Sequence, residues 1–472
     1  MTRDRLVPLI VAVALFMENM DSTVIATSLP AIAADIGTSP LTLKLAVTSY
    51  LLSLAVFIPI SGWTADRFGA RTVFRAAIGV FVLGSIGCAL SGSLAQFVFA
   101  RIVQGMGGAM MSPVGRLVLV RTIDRRALVG AMAWVSVPAM IGPLLGPPLG
   151  GLITTYATWH WIFIINVPMG LVGIALVTRY IEDVRAQMRE RFDFVGMILS
   201  GLGVAGLTFG LSVAGFDLLP WPIVVGIIAT GAVSFAFYLA YARRAPAPVL
   251  DFKLLAFPTF RASLIGGFLF RIGVGAIPFL LPLLLQIGFG FTPFHSGLIT
   301  FTSTMGALFM KPVASRVLKE FGFRNVLTAN AILSALFIAA CALFSATTPV
   351  AIMIGVLLVG GFFRSLQFTS VNALAYAEVP VERMSRATSL ASVGQQVSLA
   401  TGVAIGALTV EMVLRLKGQP TITAADFPAA FILVGAVTAL STAMFARLPA
   451  HAGAEMADRA SAPATTSSQG MS

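Results

Sequence analysis

Fourteen apolar runs, each close to the length a bilayer demands, divide this chain, and its basic residues gather in alternate gaps between them. A helix that crosses the hydrocarbon layer needs about 20 mostly apolar residues. The runs fall at 6–30, 45–62, 76–92, 95–120, 128–155, 161–178, 194–214, 218–241, 262–286, 293–310, 326–346, 350–376, 388–410 and 427–446. Of the 31 Lys and Arg residues, 24 lie before the first run, after the last, or in the gaps after runs 2, 4, 6, 8, 10 and 12. The other gaps hold only Lys44, Arg415 and Lys417, while Arg101, Arg116, Arg271 and Arg364 lie within runs. Basic loops stay cytoplasmic. The sequence therefore predicts an all-α membrane protein of 14 transmembrane helices with both termini inside.

Composition agrees. With 57% hydrophobic and 11% charged residues and a mean hydropathy of +0.93, the chain is not a soluble domain. The net charge of +12 is the surplus of inner-loop Arg, which faces anionic lipid. It forms no stripe with interleaved aromatics, so nucleic acid is not an expected partner. The two cysteines, Cys88 and Cys341, fall in separate runs and offer no disulfide framework. The first run is too long for a signal-peptide core, carries Glu18 and Asp21, and lacks a small-residue cleavage site, so it is expected to remain as the first span. Residues 447–472, rich in Ala, Ser and Thr, are expected to form a disordered cytoplasmic tail.

The chain also repeats itself. The gap after run 2 reads Gly62-Trp-Thr-Ala-Asp66-Arg67-Phe-Gly69-Ala-Arg71, and the gap after run 10 reads Ser315-Arg-Val-Leu-Lys319-Glu320-Phe-Gly322-Phe-Arg324. Both place Phe-Gly-x-Arg at the same point, 253 residues apart. Thr-Ile-Asp124 and Glu-Val-Pro380 align at a similar offset. Two six-helix halves alone would repeat after about 190 residues; two additional spans, 194–214 and 218–241, account for the difference. Halves that rock against each other around a midplane site are the architecture of a secondary transporter. The expected organisation is a six-helix bundle over 1–180, two inserted helices with flanking loops over 181–259, a second six-helix bundle over 260–446, and the tail.

Five segments lie in order along the chain. They are Met20-Asp21-Ser-Thr-Val-Ile-Ala-Thr-Ser-Leu-Pro30, the loop Gly62 to Arg71, Arg101-Ile-Val-Gln104-Gly105-Met-Gly107-Gly108, Gly142-Pro-Leu-Leu-Gly146-Pro147-Pro-Leu-Gly150-Gly151, and Trp159-His-Trp161-Ile-Phe-Ile-Ile-Asn166-Val-Pro168-Met-Gly170. Together they resemble the major facilitator superfamily, and specifically its fourteen-span drug:proton antiporter branch. Gln367-Phe-Thr-Ser-Val-Asn372 and Arg243-Arg244-x-Pro-x-Pro suggest a bacterial inner-membrane multidrug subgroup. The resemblance covers all but the tail. It implies a carrier that works by alternating access and exchanges protons for an exported small molecule, with no cofactor.

The residues also have a direct physical reading. Asp66 and Arg67 flank the inner ends of two spans, where with Gly69 and Arg71 they can pair with neighbours or helix ends and latch one closed state. A plain turn with inner-face charges is the alternative, and Lys319-Glu320 in the second copy argues against a matching latch there. In run 5, Gly142, Gly146, Gly150 and Gly151 let helix backbones approach closely, while Pro138, Pro143, Pro147 and Pro148 bend the helix.

Ionisable residues at depth are costly and mark pathways or proton relays. Glu18 and Asp21 share one helical face. Asp21 lies about 22 Å and Arg101 about 25 Å from the inner end at 1.5 Å per residue, so the two can pair. Burial and an adjacent guanidinium act on a carboxylate's proton in opposite senses, and separation of the pair would let a proton exchange. Asp21, Glu18 and Arg101 are therefore the candidate proton-coupling residues; a permanent structural ion pair is the alternative. Arg116, near the inner rim, can snorkel and reads as structural.

The second half holds Arg271 and Arg364 within its runs but no carboxylate. An unpaired buried cation is expensive. Either one of these Arg pairs across the halves with Glu18, or an anionic substrate completes the site. Gln104, Gln367, Asn372, Gln395 and Gln396 could line such a cavity or bond between helices. Two cargoes remain open: a drug-like organic compound, as the resemblance implies, and a carboxylate-bearing metabolite, as the charge count favours.

Other classes fit less well. The three His residues are far apart, and the chain has neither a His-Glu-x-x-His zinc motif nor a phosphate-binding Gly-x-x-x-x-Gly-Lys-Ser/Thr loop, so no enzyme, metal site or cofactor is expected. A channel would need no paired carboxylates at depth. The expected partners are a small-molecule substrate, protons and the lipid bilayer; short outer loops leave a periplasmic adaptor open, and a monomer is the expectation.

Overall fold

The computed structural model describes residues 3–122, 125–181, 193–213, 218–246, 248–380, 383–419, 421–449 and 452–453. The expected tail lies almost entirely outside them. Among the described residues every regular element is helical.

The apolar runs reappear as helices, broken where local chemistry breaks them. Helix α1 (Arg3–Val24) passes through a 3-10 turn into α2 (Leu29–Asp35), where Pro30 occupies the first turn and its missing N–H costs nothing. Helix α3 (Lys44–Phe57) runs through a second 3-10 turn into α4 (Ser61–Phe68), and α5 (Ala70–Ala89) and α6 (Leu94–Thr122) follow. Helix α7 (Arg125–Tyr156) carries the Gly/Pro segment, and α8 (Trp161–Ile164) with α9 (Asn166–Tyr180) makes up run 6. Runs 7 and 8 are α10 (Phe194–Val213) and α11 (Trp221–Ala242). Then come α12 (Pro258–Arg261), α13 (Gly267–Leu283), α14 (Pro293–Ala340), α15 (Val350–Leu374), α16 (Met384–Lys417) and α17 (Pro428–Ala446).

Eleven stretches among the described residues are long and apolar enough to cross a membrane. One of them, Pro293–Leu343, is 51 residues long. A straight helix of that length would reach about 76 Å, more than twice the roughly 30 Å of hydrocarbon, so it has to double back. It does so at Gly322, whose φ of 74° and ψ of 158° are non-helical. Gly69, between α4 and α5, has φ 92° and ψ 134°. An L side chain is strained in this region and glycine is not, so the two glycines of the sequence repeat make the same bend.

Helices α1, α3, α5, α6, α7 and α9 pack among themselves, and α13 to α17 pack among themselves; α7 meets α14 and α3 meets α16 between the two groups. Large apolar side chains such as Leu83, Phe99, Phe237, Leu336 and Leu440 remain exposed on the outer surface, as lipid-facing positions require. Helix α10 lies against α11, α3 and α16. The strand of chain after α11 is tied down by polar contacts: the Tyr238 hydroxyl bonds both the carbonyl and the N–H of Leu250 at 2.7 Å, and Asp193 accepts from Tyr241 Oη (2.6 Å) and Val249 N (3.2 Å). Asp251 lies 3.7 Å from Arg386 at the start of α16. The α10–α11 segment is thus tied to the start of α16 and to the chain that follows α11.

Candidate functional site

The centre of the first helix group holds a buried polar network. Arg101 on α6 donates from Nη1 to Asp21 Oδ2 on α1 at 2.8 Å, and both side chains are shielded from solvent, 1% and 0% exposed. The same Nη1 donates to Gln104 Oε1 at 2.6 Å. Gln104 Nε2 donates to Asp21 Oδ1 (2.8 Å) and Ser85 Oγ (2.7 Å), and Asn166 Nδ2 donates to the same two acceptors at 2.9 and 3.2 Å. The guanidinium lies 4.1 Å from the centroid of the Tyr50 ring. Both Asp21 oxygens are therefore committed, through four helices and a stacked aromatic. A buried charge survives only when paired and hydrogen-bonded in this way.

Residues 101 and 104 meet Asp21 because they are three apart on one helical face. The sequence reading set Gln104 among the cavity residues; the fold spends it on this network. Asn166, Ser85 and Tyr50 were missed as members. Asn166 stands in a segment already singled out and could have been raised from it. Ser85 carries no such signal.

Glu18, one turn before Asp21, lies apart from the network on the wall of a cavity of about 950 Å³. Its Oε2 is buried and has no hydrogen-bond partner. Arg116 on α6, read above as structural, lines the same wall. The facing wall comes from the second helix group, with Phe368, Asn372, Tyr376, Gln395 and Gln396. Asp66, Arg67, Asp193 and Arg386 also line it, so the cavity reaches the end bearing the loop segment of the repeat. Arg71 donates to the Thr178 carbonyl at 2.7 Å and ties the start of α5 to the end of α9, with the positive-φ bend at Gly69 beside it.

The opposite end is shut by backbone contact. On one face of α7, Gly142, Gly146 and Gly150 lie against α1, where a Cβ would meet Phe16, Thr23 and Val24. On another, Gly151 abuts the Pro293 carbonyl, and Gly297 of α14 abuts the Pro147 carbonyl. Thr27 Oγ1 donates to Pro147 O at 3.3 Å, Gln286 Nε2 to Thr27 O at 2.9 Å, and Phe294 N to Thr155 Oγ1 at 3.1 Å. The Gln286, Phe294, Gly151 and Gly297 contacts join the two helix groups, while Thr27 to Pro147 ties α1's extension to α7 within the first. Lys44, buried at the start of α3, stands within the field of Glu411 on α16. Arg415 pairs with Glu411 at 2.9 Å and Lys417 with Asp426 at 2.7 Å.

In the second group neither Arg271 nor Arg364 pairs with Glu18. Arg271 is buried, donates from Nη2 to Asn372 Oδ1 at 2.7 Å and lies 5.4 Å from the Phe368 ring centroid; its Nε has no partner. Arg364 donates to the Ser303 hydroxyl. Gln367 accepts from Asn330 (3.2 Å) and donates to the Leu327 carbonyl (3.2 Å), so it holds α15 to α14 rather than facing the cavity. No cluster of three or more potential metal ligands occurs among the described residues.

Comparison with known proteins gives three findings. Residues 11–247 and 263–468 match the family model described as Major Facilitator Superfamily. The chain is 40% identical, over 93% of its own length and 94% of the relative's, to a Salmonella paratyphi B protein provisionally named multidrug resistance protein MdtD. Among solved structures, a D-xylose-proton symporter shares the fold with a TM-score of 0.68 at 14% identity, covering 96% of this chain and 99% of that one. The xylose transporter XylE from E. coli, in a partially occluded inward-open conformation, aligns with a TM-score of 0.62 at 12% identity, over 95% and 100% of the two chains.

Proposed function

The chain belongs to the major facilitator superfamily, and from that premise we propose that it is a proton-coupled antiporter of the bacterial inner membrane that exports small organic, drug-like compounds by alternating access. It is a multi-pass membrane transporter and not an enzyme. The observation that carries the reading is the buried Asp21–Arg101 pair at 2.8 Å, one helical turn from a carboxylate that lines a cavity between the two helix groups.

In this reading the chain has fourteen spans with cytoplasmic termini. Pro293–Leu343 counts as two because it bends at Gly322, and α6 and α7 supply the remaining pair. Two six-helix bundles, 1–180 and 260–446, flank the inserted segment 181–259. The cavity mouth, bearing Asp66, Arg67 and Arg386, is cytoplasmic by the distribution of basic residues, so the conformation described is inward-facing. Asp66, Arg67, Gly69 and Arg71 form the latch of the outward-facing state. Gly142, Gly146, Pro147, Gly150 and Gly151 form the outer seal.

Proton binding at Asp21 neutralises its carboxylate and weakens its hold on Arg101, with Glu18 as the neighbouring carboxylate on the cavity wall, and cargo release accompanies the rearrangement. The carrier works as a monomer with protons and one small molecule. A second reading, export of a carboxylate-bearing metabolite, is favoured by Arg271, which has an amide and no carboxylate as its hydrogen-bond partner.

The test is flux in proteoliposomes. Wild type should exchange cargo against an imposed proton gradient, Asp21→Asn should keep counterflow while losing the response to the gradient, and Glu18→Gln should lose that response as well. Full coupling in both variants would overturn the assignment.

A further inference from the structure

Two groups on facing walls of the cavity, Glu18 and Asn372, carry opposite hydrogen-bonding characters. Glu18 on the α1 wall is acceptor-only when ionised. Its buried Oε2 has no partner, and it makes no ion pair with Arg116 on the same wall. On the α15 wall, Asn372 lines the cavity while its Oδ1 accepts from Arg271 Nη2 at 2.7 Å. A guanidinium can only donate, so the amide orientation is fixed: oxygen toward Arg271, Nδ2 away from it. Nδ2 has no hydrogen-bond partner among the described residues. What Asn372 offers the cavity is therefore a donor, and it is backed by a buried cation that has no carboxylate partner among the described residues. The Phe368 ring, which also lines the cavity, lies beside that cation.

The geometry points to a zwitterionic cargo: a small molecule with a cationic group for Glu18 and a carboxylate for the Asn372–Arg271 pair, joined by an apolar body that packs on Phe368. The volume of about 950 Å³ is in the range of small-molecule sites, roughly 300–1,000 Å³. Asn372 touches the carboxylate and Arg271 acts through it as a positioning residue. This deepens the antiport reading and rests on it, because the cationic group and the transported proton compete for the same carboxylate.

The test is equilibrium binding to the purified full-length protein in detergent, with no gradient, using three matched probes: 4-(aminomethyl)benzoate, benzylamine and 4-methylbenzoate. Wild type should bind the zwitterion at least about tenfold tighter than either single-charge probe, the affinity ratio that about 1.4 kcal/mol gives. Glu18→Gln should erase the advantage of the zwitterion over 4-methylbenzoate. Asn372→Asp, nearly isosteric, should erase its advantage over benzylamine and leave benzylamine binding in place. Arg271→Lys, which keeps the charge and loses the fork, should weaken the zwitterion and 4-methylbenzoate together and spare benzylamine. A zwitterion no tighter than benzylamine in wild type, an unchanged ranking in Asn372→Asp, or no saturable binding of any probe overturns the proposal. Because no gradient is applied, a protein that fails the proton-coupled flux test still gives this ranking if the two subsites exist, and the converse also holds.

Discussion

Gly69 and Gly322, 253 positions apart, bend the chain in the same way, with φ of 92° and 74° and ψ of 134° and 158°. Each follows a Phe and precedes the next helix by one residue or less, so the repeat in the sequence is also a repeat in the backbone. This region of φ/ψ is close to glycine-only and costs other residues about 1–3 kcal/mol.

Gly322→Ala and Gly69→Ala should each therefore lower thermal stability by an amount in that range. Gly355→Ala is the control: it lies within α15 with nothing inside 4 Å of an added Cβ, and alanine is the better helix former by about 0.5–1 kcal/mol. Thermal unfolding of the purified proteins in one detergent would rank them, and equal melting temperatures would refute the assigned role of the bends.

Asp21 should distinguish loss of charge from loss of a partner. Asp21→Ala leaves Arg101 buried and unpaired, which costs about 3–5 kcal/mol, and should express poorly or melt early. Asp21→Asn keeps an acceptor for Arg101 and should fold while failing to couple flux to protons. Melting curves and gradient-driven flux on the two variants check both halves of the statement.

Asn166 gives Asp21 Oδ1 and Ser85 a second donor each. Asn166→Leu removes those bonds at a cost of about 1–3 kcal/mol and leaves Arg101 in contact with Asp21. The expected result is retained counterflow with a shifted pH dependence of coupled transport. An unchanged pH profile would show that Asn166 only packs.

The outer seal should open when its backbone contacts are forced apart. Gly151→Ala drives a methyl group into the Pro293 carbonyl. The expected result is a severalfold faster reaction of a membrane-impermeant maleimide with Thr155→Cys in that background. The native thiols, Cys88 and Cys341, are both buried and give a low baseline. An unaltered labelling rate would remove the seal from α7.

Much of the architecture was legible along the chain. The apolar runs became helices over nearly their expected ranges, and the Phe-Gly-x-Arg repeat located two bends. Asp21 and Arg101 could be matched by depth alone because both helices rise by a fixed length per residue. Gln104 and Gln367 could not be sorted from one another: both are buried glutamines in helices, yet one bonds Asp21 and the other bonds Asn330. The partners of Arg271 and Arg364 were likewise open, and both turned out to be neutral groups, Asn372 and Ser303.

Sequence alone determined what depends on a residue's own solvent preference: which segments partition into lipid, where the chain leaves it, and which side chains are charged at depth. Tertiary structure decided which of those side chains meet, that Glu18 lines a cavity while Asp21 does not, and which helix backbones come into contact between the two groups. The reason is physical. Partition into a bilayer is a sum over local residues, whereas a hydrogen bond needs two groups from distant helices brought within about 3 Å, and helix packing alone fixes that distance.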